Sequence, residues 1–582
     1  MNKSKEFRTE FAESIFNHKY KHENCETWAN LSKTLINHVC KNHLSENEIN
    51  DLTNYHSKMK FIAGGRYLYY AGRKSPFFNN CYLLKSLEDS REDWANLSWK
   101  AESCLMTGGG VGNDYSIYRS KGSILAKTGG YSSGPISKMK MINEIGREVM
   151  QGGSRRSALY ASLNWQHQDI GEFLHCKDWY SMPISGAYDE KGDNLTVGLL
   201  KEKDFNYPAP LDMTNISLNY DNEFLEQIYM MSIGELKEIY RLGGKLAVFE
   251  LPIKNIPLTF LENCRQALKT GEPGFSFNFF EKVLETLRNA CTEVCSEDDS
   301  DVCNLASVNM ANIETIEEFR NVCYQVSKFL LCGTLEAELP YQKVYNTRSK
   351  NRRLGLGLMG VHEWLLKRGY RYEVNQELRE WLQVYKDYSE IGANELAEKL
   401  GINKPVAYRA IAPTGTIGIL AGTTTGIEPL FAVAYKRRYL KGKKEWHYQY
   451  VIDGTAKILI DKFNIKPENI ETALSLSEDY ERRIKFQADI QDYVDMSISS
   501  TINLPKWGTE LNNDTKVEDF AHILAKYAVR LRGFTCYPDG ARGGQPLNIV
   551  DYYEAIKHEG QEFKEQFHDI CDISGKGGTC GV

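Results

Sequence analysis

Apolar and polar positions alternate with a helical period over several long stretches of the chain. Residues 376–400 have the clearest amphipathic pattern, and residues 222–247 and 315–335 also place apolar side chains three or four positions apart. Residues 1–60 are polar overall but keep the same helical spacing. The pattern therefore predicts helices in all four stretches, the first of them an N-terminal helical segment.

From Phe61 onward the pattern changes to short apolar runs separated by glycine-rich turns. Cys81–Leu84 is one such run, and Gly108–Gly110 and Gly152–Gly153 are two of the turns. Strands that alternate with helices have this appearance, so the predicted fold class is α/β. Residues 549–582 are polar and end in Gly-Lys-Gly-Gly-Thr-Cys-Gly-Val, which predicts a flexible tail that carries a thiol.

Composition and charge exclude several broad classes of protein. The formal net charge is −6, which argues against a surface that wraps nucleic acid. No apolar run reaches the length of a membrane span, and the N-terminus lacks the apolar core of a secretory signal. We therefore expect a cytoplasmic protein with neither a membrane nor a nucleic-acid partner, whose fourteen cysteines are mostly reduced.

The densest chemical signal is the heptapeptide Asn-Ala-Cys-Thr-Glu-Val-Cys at residues 289–295. If this segment is extended, Asn289, Cys291 and Glu293 lie on one side of it. A thiyl radical, a carboxylate that handles a proton and an amide that orients a substrate together suit radical chemistry on a sugar. Two alternatives are a zinc site, for which no CxxC or nearby histidine is present, and inert buried cysteines.

This segment and the Cys-Asn-Leu-x-Ser-x-Asn run that follows at residues 303–309 resemble the finger loop of ribonucleotide reductase large subunits. Other segments resemble the same family in the same order, across about residues 61–545. They are Gly64-Gly65-Arg66 with Asn79-Asn80-Cys81, Gly108–Asp114, Gln151–Arg156, and Ala412–Ile417 with Gly426–Pro429.

The resemblance implies a ten-stranded α/β barrel over residues 61–548, with a central finger loop that carries the radical cysteine. It also implies the reaction, which is reduction of ribonucleoside di- or triphosphates to 2′-deoxyribonucleotides. The family uses thiyl-radical chemistry and a dithiol that becomes a disulfide. A thioredoxin-like reductant then restores the dithiol.

By this resemblance Cys291 is the radical residue that abstracts the 3′-hydrogen, and Glu293 is the base for the 3′-hydroxyl group. Asn289 would hydrogen-bond the substrate. Cys81 and Cys303 would form the dithiol that reduces the 2′ position.

The resemblance also implies a substrate-phosphate turn. Small residues let backbone N–H groups approach an anion, although an ordinary glycine turn is the alternative. The residues expected to bind the substrate are Asn80, Pro413, Thr414, Gly415, Thr416 and Ile417.

A deoxynucleotide effector site at a homodimer interface is the third implied site, with Asp89, Arg119 and Arg155 as its expected residues. A solvated basic turn is the alternative. In the tail, Cys580 and Cys571 would exchange thiols with the active-site disulfide. Their spacing is wider than the family usually shows.

The radical source depends on a stretch near the end of the barrel. Family members that obtain the radical from a separate metal-containing subunit have an adjacent tyrosine pair there. The corresponding stretch here, Gly533–Gly540, has Tyr537 preceded by Cys536. Together with Gln545-Pro546-Leu547 it is closer to the adenosylcobalamin-dependent members. We expect adenosylcobalamin as the cofactor; the alternative is no bound cofactor and a radical-generating small subunit.

Three other interpretations are weaker. A glycyl-radical enzyme would need an Arg-x-x-Gly-Tyr context, which Gly577–Gly581 lacks. A non-catalytic nucleotide-binding relative would not need the cysteine set. The GxGxxG motif at Gly355–Gly360 follows Asn-Arg-Arg rather than a strand, so we expect a close-packed helix start there and not a dinucleotide site.

Overall fold

The computed structural model describes residues 6–127, 129–149, 157–188, 192–204, 207–441, 445–541 and 547–564. The chain divides into two units. The first comprises Met1–Phe431 and Glu471–Gly543, and the second comprises Ala432–Ile470 and Gly544–Val582. The first unit contains every residue that the sequence assigns to catalysis.

The strands, in chain order, are β1 (Phe61–Ala63), β2 (Cys81–Lys85), β3 (Gly110–Asp114), β4 (Leu159–Asn164), β5 (Pro183–Tyr188), β6 (Asn194–Thr196), β7 (Thr214–Tyr220), β8 (Gly274–Phe277), β9 (Leu287–Arg288), β10 (Cys295–Ser296), β11 (Asp301–Asn309), β12 (Leu354–Met359), β13 (Ala434–Lys441), β14 (Glu445–Ile452), β15 (Thr501–Leu504), β16 (Gly533–Pro538), β17 (Leu547–Ile549) and β18 (Glu562–Lys564).

The helices are α1 (Glu10–Lys19), α2 (Trp28–Cys40), α3 (Glu46–Ser57), α4 (Gly65–Tyr70), α5 (Arg91–Met106), α6 (Gly134–Glu148), α7 (Ile170–His175), α8 (Val197–Lys203), α9 (Asn222–Tyr229), α10 (Ile233–Phe249), α11 (Leu258–Thr270), α12 (Ile316–Glu336), α13 (Gln342–Asn351), α14 (Val361–Lys367), α15 (Gln376–Leu400), α16 (Gly415–Ala421), α17 (Gly454–Phe463), α18 (Tyr480–Gln491), α19 (Val517–Ala528) and α20 (Tyr552–Lys557).

The main sheet of the first unit has ten strands. Its order is β1-β11-β2-β3-β4-β7-β8-β16-β15, and β12 also pairs with β11. The five strands from β2 to β8 in this order run parallel, and β11 and β16 flank them antiparallel. Parallel bridges Leu356–Arg409 and Ile411–Ile498 lead from β12 to the segment before β15, so the strand path returns as a barrel requires. The predicted α/β class is confirmed.

Helix α15 matches the predicted stretch 376–400 at both ends. The Asn375 side chain accepts a hydrogen bond from the Leu378 N–H, and Gly401 ends the helix in the left-handed conformation. The prediction over 222–247 is wrong as one helix. It divides into α9 and α10 because Met230 adopts a φ of 54° and Ser232 begins a new helix with a capping box.

The N-terminal helices α1–α3 do not form a separate core. Their apolar side chains, such as Trp28 and Leu31, belong to the same buried cluster as Phe61 of β1 and Phe329 of α12. The amphipathic pattern of residues 1–60 therefore reflects packing against the first unit.

The GxGxxG segment lies on β12, and helix α14 begins only at Val361. The expectation of a helix start within the motif is wrong. The glycines are needed because a Cβ at Gly355 would lie 2.3 Å from the Leu305 side chain, and a Cβ at Gly357 would lie 2.8 Å from the Ala410 carbonyl. Tight packing in the sheet explains these glycines without a dinucleotide.

In the second unit, β17, β13, β14 and β18 form an antiparallel sheet in that order, accompanied by α17 and α20. Part of the predicted tail is thus folded, since β17, α20 and β18 lie within residues 547–564. Cys571 and Cys580 lie outside the described residues. Within the described parts of the chain, no helix is both long and apolar enough to cross a membrane.

Candidate active site

The finger loop, residues 287–296, is a short hairpin. Strands β9 and β10 pair through Arg288–Cys295 and Leu287–Ser296. At its tip the Thr292 N–H donates to the Asn289 carbonyl at 2.9 Å, and Thr292 has a φ of 71°. Cys291 is exposed at this tip. The sequence argument assumed an extended segment, which is wrong, because the chain turns here.

The finger loop rests directly on β3, through both its base and its tip. A Cβ at Gly112 would lie 1.6 Å from the Arg288 carbonyl, and one at Gly110 would lie 3.1 Å from the Ala290 Cβ. Asn215 of β7 also holds the tip, because its Nδ2 donates to the Ala290 carbonyl at 3.0 Å. The Gly-rich motif at 108–114 therefore supplies the bare surface against which the finger loop packs.

Arg288 anchors the base of the loop and is fully buried. Its guanidinium donates to Asn278 Oδ1 at 2.6 Å and to the Arg532 carbonyl at 3.2 Å. Sequence reasoning missed both Arg288 and Asn215. A cation directly before the catalytic motif was an available signal for Arg288, whereas no local pattern marks Asn215.

We expect Gly112→Ala to displace the finger loop, because the new methyl group would overlap a backbone carbonyl that cannot rotate away. The free energy of unfolding should fall by about 3 kcal/mol or more, measured by chemical denaturation. Gly171→Ala is the matched control, since nothing lies within 4 Å of a Cβ there. A Gly112→Ala protein as stable as the control would contradict the packing described.

Cys81 and Cys303 are direct cross-strand partners on β2 and β11. Opposed residues of an antiparallel pair have Cα atoms roughly 4.5–5.5 Å apart, which falls within the range of about 4.4–6.8 Å seen in disulfides. The structure therefore brings together two cysteines that are far apart in sequence. Their role as a redox pair stays a prediction.

The two cysteines adjoin the finger loop. Asn289 Nδ2 donates to Cys81 Sγ at 2.9 Å. Burial raises the pKa of Cys81 well above its usual value, and the charges of Glu293, Cys303 and Cys291 raise it further. Burial likewise raises the pKa of Cys303. Both groups are therefore held as thiols, the form that can give up hydrogen.

Glu293 is buried beside them, and burial raises the pKa of its carboxyl group to about 7. Among the described residues, Glu293 Oε2 and Asn80 Oδ1 are buried atoms that lack a hydrogen-bond partner. Buried polar atoms are nearly always satisfied in folded proteins, so these two acceptors are candidates for contact with a polar ligand.

We expect Glu293→Gln to lower kcat about 10²–10⁴-fold, as loss of a general base does. The wild-type rate should rise through pH 7 as the carboxyl group ionises, and the variant should lack that rise.

Glu293→Gln should also change how stability depends on pH. Since the pKa of Glu293 is higher in the folded than in the unfolded protein, the wild-type free energy of unfolding falls as pH rises between about 4.5 and 7. The variant should thus be more stable at pH 8, by up to about 3 kcal/mol, and similar at pH 4. Equal pH profiles would remove Glu293 from this role.

Two backbone hydrogen bonds, both made by Ser497, connect the predicted phosphate turn to Glu293. The Ser497 N–H donates to the Glu293 carbonyl at 2.8 Å, and the Ile411 N–H donates to the Ser497 carbonyl at 3.2 Å. Thr414 then adopts a left-handed conformation and accepts from the Gly426 N–H through Oγ1 at 2.7 Å. This bond folds the turn so that α16 begins at Gly415, with the chain exposed at Pro413 and Gly415.

Two of the predicted effector residues meet. Arg119 Nε donates to Asp89 Oδ2 at 2.5 Å, and the Arg119 N–H donates to the same oxygen at 3.2 Å. Both side chains are partly exposed. Arg155 lies outside the described residues.

Strand β16 carries the stretch that bears on the radical source. Cys536 Sγ is buried and donates to the Ala267 carbonyl of α11 at 3.4 Å. Because side chains alternate along a strand, Tyr537 lies on the opposite face. Cys536 therefore lies on the opposite face of the strand from Tyr537. It carries a thiol where family members with a tyrosine pair have a second tyrosine.

A ten-stranded sheet flanked by helices, a loop with Cys291 at its tip and the Cys81–Cys303 pair beside that loop define an α/β protein with a cysteine-based candidate site. The chain belongs to the ribonucleotide reductase family, because the family described as "Ribonucleotide reductase, barrel domain" matches residues 79–385 and 393–537.

Curated relatives agree with this membership. The chain is 24% identical to a vitamin B12-dependent ribonucleoside-diphosphate reductase of Mycobacterium tuberculosis, over 84% of this chain and 70% of that protein. It is 25% identical to the enzyme of the same name from Thermoplasma acidophilum, over 86% and 66%. It is 23% identical to a ribonucleoside-diphosphate reductase subunit alpha of Synechocystis, over 72% and 60%.

Proposed function

We propose that the chain is the catalytic subunit of a ribonucleotide reductase, which converts ribonucleotides to 2′-deoxyribonucleotides. The observation that carries this proposal is the grouping of Cys291, Asn289 and Glu293 on one turn beside the paired Cys81 and Cys303. The names of the relatives favour ribonucleoside diphosphates as substrates.

In this function the exposed Cys291 holds the radical and takes the 3′-hydrogen of the ribose. Glu293, with a pKa near neutrality, accepts the proton of the 3′-hydroxyl group. The thiols of Cys81 and Cys303 supply the hydrogen that lets the 2′-hydroxyl leave as water and that completes the new C–H bond. Two thiols become one disulfide, which balances the two-electron reduction.

The relatives' names support adenosylcobalamin as the cofactor. When bound, this group supplies a carbon-centred radical that can take a hydrogen atom from a thiol. The residues present fit such a donor, since the Cys291 side chain is exposed and β16 offers a lone tyrosine at the position of the pair. A radical source that approaches Cys291 directly needs no tyrosine pair.

We assign part of this cofactor to a cavity of about 280 Å³ in the first unit. Glu272 of its wall accepts from the Ile216 N–H, and the neighbouring Asn215 holds the finger tip at Ala290. Its aromatic lining residues are Trp179, Tyr180 and Trp507, which give the cavity an apolar surface for part of a large heterocycle.

We expect Trp507→Ala to weaken adenosylcobalamin binding about tenfold, measured by the change in visible absorption of the cofactor on titration with protein. Trp99→Ala is the control, because Trp99 is an exposed tryptophan of α5 that does not line the cavity. Equal binding by both variants would move the cofactor away from this cavity.

The function itself is tested by incubating the chain with a ribonucleoside diphosphate, dithiothreitol and adenosylcobalamin, and measuring deoxynucleotide by chromatography. We expect product without a second protein. Product only after addition of a metal-containing small subunit would assign the radical to that subunit. Nucleotide binding without product from either source would favour a non-catalytic relative.

The homodimer and the effector site also belong to this proposal. We propose the face formed by helices α5 and α6, which pack together and carry the exposed Met106 and Met141, as the dimer interface. The ion pair of Asp89 and Arg119 would contact a deoxynucleotide. Arg155, in the Gly-Gly-Ser-Arg-Arg segment of the sequence, would be the third residue of this site.

In the tail, Cys580 and Cys571 stay the predicted thiols that pass electrons from a thioredoxin-like reductant to the active-site disulfide.

A further inference from the structure

A second cavity, of about 170 Å³, lies in the first unit beside the segment that leads into the finger loop. Three carboxylates line it, namely Glu281, Asp492 and Asp495. The cations among its described lining residues are Lys245, Lys282, Lys386, Arg409 and Arg532. The wall is therefore richer in positive than in negative side chains.

Three of the cations already have carboxylate partners. Arg409 pairs with Glu390 and Asp495, and Lys282 and Arg532 both pair with Glu285. In the described chain, no hydrogen bond or ion pair involves the ammonium groups of Lys245 and Lys386. The described lining cations without a carboxylate partner within ion-pair distance are therefore these two lysines, which come from different helices.

A break in helix α10 places Lys245 at the cavity. Gly244 has a φ of 68° and a ψ of −164°, so the helix is interrupted there and resumes at Lys245. Burial and repulsion from Arg532 lower the pKa of Lys245, and the nearby carboxylates of Asp492 and Glu281 offset part of this effect. A cation held in such surroundings would be stabilised by an anion.

The buried side chain of Gln491 sets a second requirement for a ligand of this cavity. Its Nε2 donates to the carbonyls of Val494 at 2.9 Å and Met496 at 2.8 Å, whereas its buried Oε1 has no partner among the described residues. An unsatisfied buried acceptor calls for a donor. The matching ligand is thus an anion that also carries a hydroxyl proton, as hydrogen phosphate does.

We propose that this cavity binds a phosphate group, either as the free ion or as the phosphate of a small metabolite. Lys245 and Lys386 pair with its charge, and Gln491 Oε1 accepts a hydrogen bond from its hydroxyl group. Nothing in the reductase chemistry proposed above requires this site.

The site is coupled to the finger loop through Arg532. Arg532 Nη2 donates to Glu285 Oε2 at 2.9 Å, and its carbonyl accepts from Arg288, which anchors the base of the loop. A phosphate on the cavity side of Arg532 fixes the side chain that holds residues 285–288. Binding therefore slows amide hydrogen exchange in the finger loop.

The test is calorimetric titration of the whole chain with inorganic phosphate at constant ionic strength. The double variant Lys245→Met, Lys386→Met should bind phosphate at least about tenfold more weakly than the wild type, because two charge-assisted contacts are lost. Lys237→Met, an exposed lysine on the same helix, should bind as the wild type does. The predicted phosphate turn at Thr414 is common to all three proteins, so the difference reports the cavity.

Sulfate should bind more weakly than phosphate, since it has no proton to donate near neutral pH. Tighter binding of ribose 5-phosphate than of inorganic phosphate would identify an esterified phosphate, and weaker binding would identify the free ion. Equal phosphate affinity in the double variant and the wild type overturns the site, and sulfate binding equal to phosphate overturns the role of Gln491. If circular dichroism shows that the double variant misfolds, the single variant Lys386→Met is used instead. Its amide hydrogen exchange over residues 287–296 is measured with and without phosphate. Phosphate should slow exchange in the wild type and not in this variant, and equal protection in both overturns the site.

Discussion

Cys291→Ala should form no deoxynucleotide above background, a loss of at least about 10⁴-fold in turnover. The reason is that no other side chain at the finger tip can hold the abstracting radical. Because Cys291 is exposed, its truncation should change the free energy of unfolding by less than about 0.5 kcal/mol. Nucleotide binding, measured by equilibrium dialysis, should be unchanged.

Cys264→Ala is the control for this experiment, since Cys264 is buried in α11 away from the finger loop. It should lose some stability and keep its turnover. Cys291→Ser should be as inactive as the alanine variant, because a hydroxyl group has the shape of a thiol without its weak S–H bond. Substantial turnover by either Cys291 variant would remove this residue from its role.

Cys81→Ser and Cys303→Ser should each lower steady-state turnover about 10²–10⁴-fold. One thiol cannot form the disulfide whose two electrons reduce the 2′ position. Dithiothreitol should not rescue either variant, because the hydrogen must come from a group held next to the substrate. The measurement is deoxynucleotide formation with adenosylcobalamin present.

Cys295→Ser is the matched control, since Cys295 lies in the same buried cluster as the pair but has no part in the proposed reduction. It should lose about 1–3 kcal/mol of stability, because a hydroxyl group replaces a buried thiol, and should retain turnover. If all three serine variants were equally active, the Cys81–Cys303 pair would have no role in reduction.

The sequence predicted which residues lie together in the candidate site better than it predicted their local geometry. Asn289, Cys291 and Glu293 were grouped by assuming an extended strand, yet a turn at Thr292 is what arranges them. The pairing of Cys81 with Cys303 followed from the family resemblance alone, because no spacing rule joins residues that only the order of β2 and β11 makes neighbours.

Features built from several distant elements escaped sequence reasoning. Asn215, which holds the finger tip, stands in a strand without a polar motif. The cavity of Lys245, Lys386 and Gln491 draws one residue from each of three helices. Periodicity locates each helix, but the relative placement of their faces depends on packing that no local pattern encodes.

The central claim is that Cys291 and the Cys81–Cys303 pair together reduce a ribonucleotide, and one single-turnover measurement tests it most directly. The reduced chain is mixed with adenosylcobalamin and a ribonucleoside diphosphate without any external reductant, and deoxynucleotide and disulfide-linked peptides are both quantified by mass spectrometry. The account predicts that deoxynucleotide appears together with a peptide that joins Cys81 to Cys303. Deoxynucleotide formed while Cys81 and Cys303 stay reduced and unlinked would contradict it.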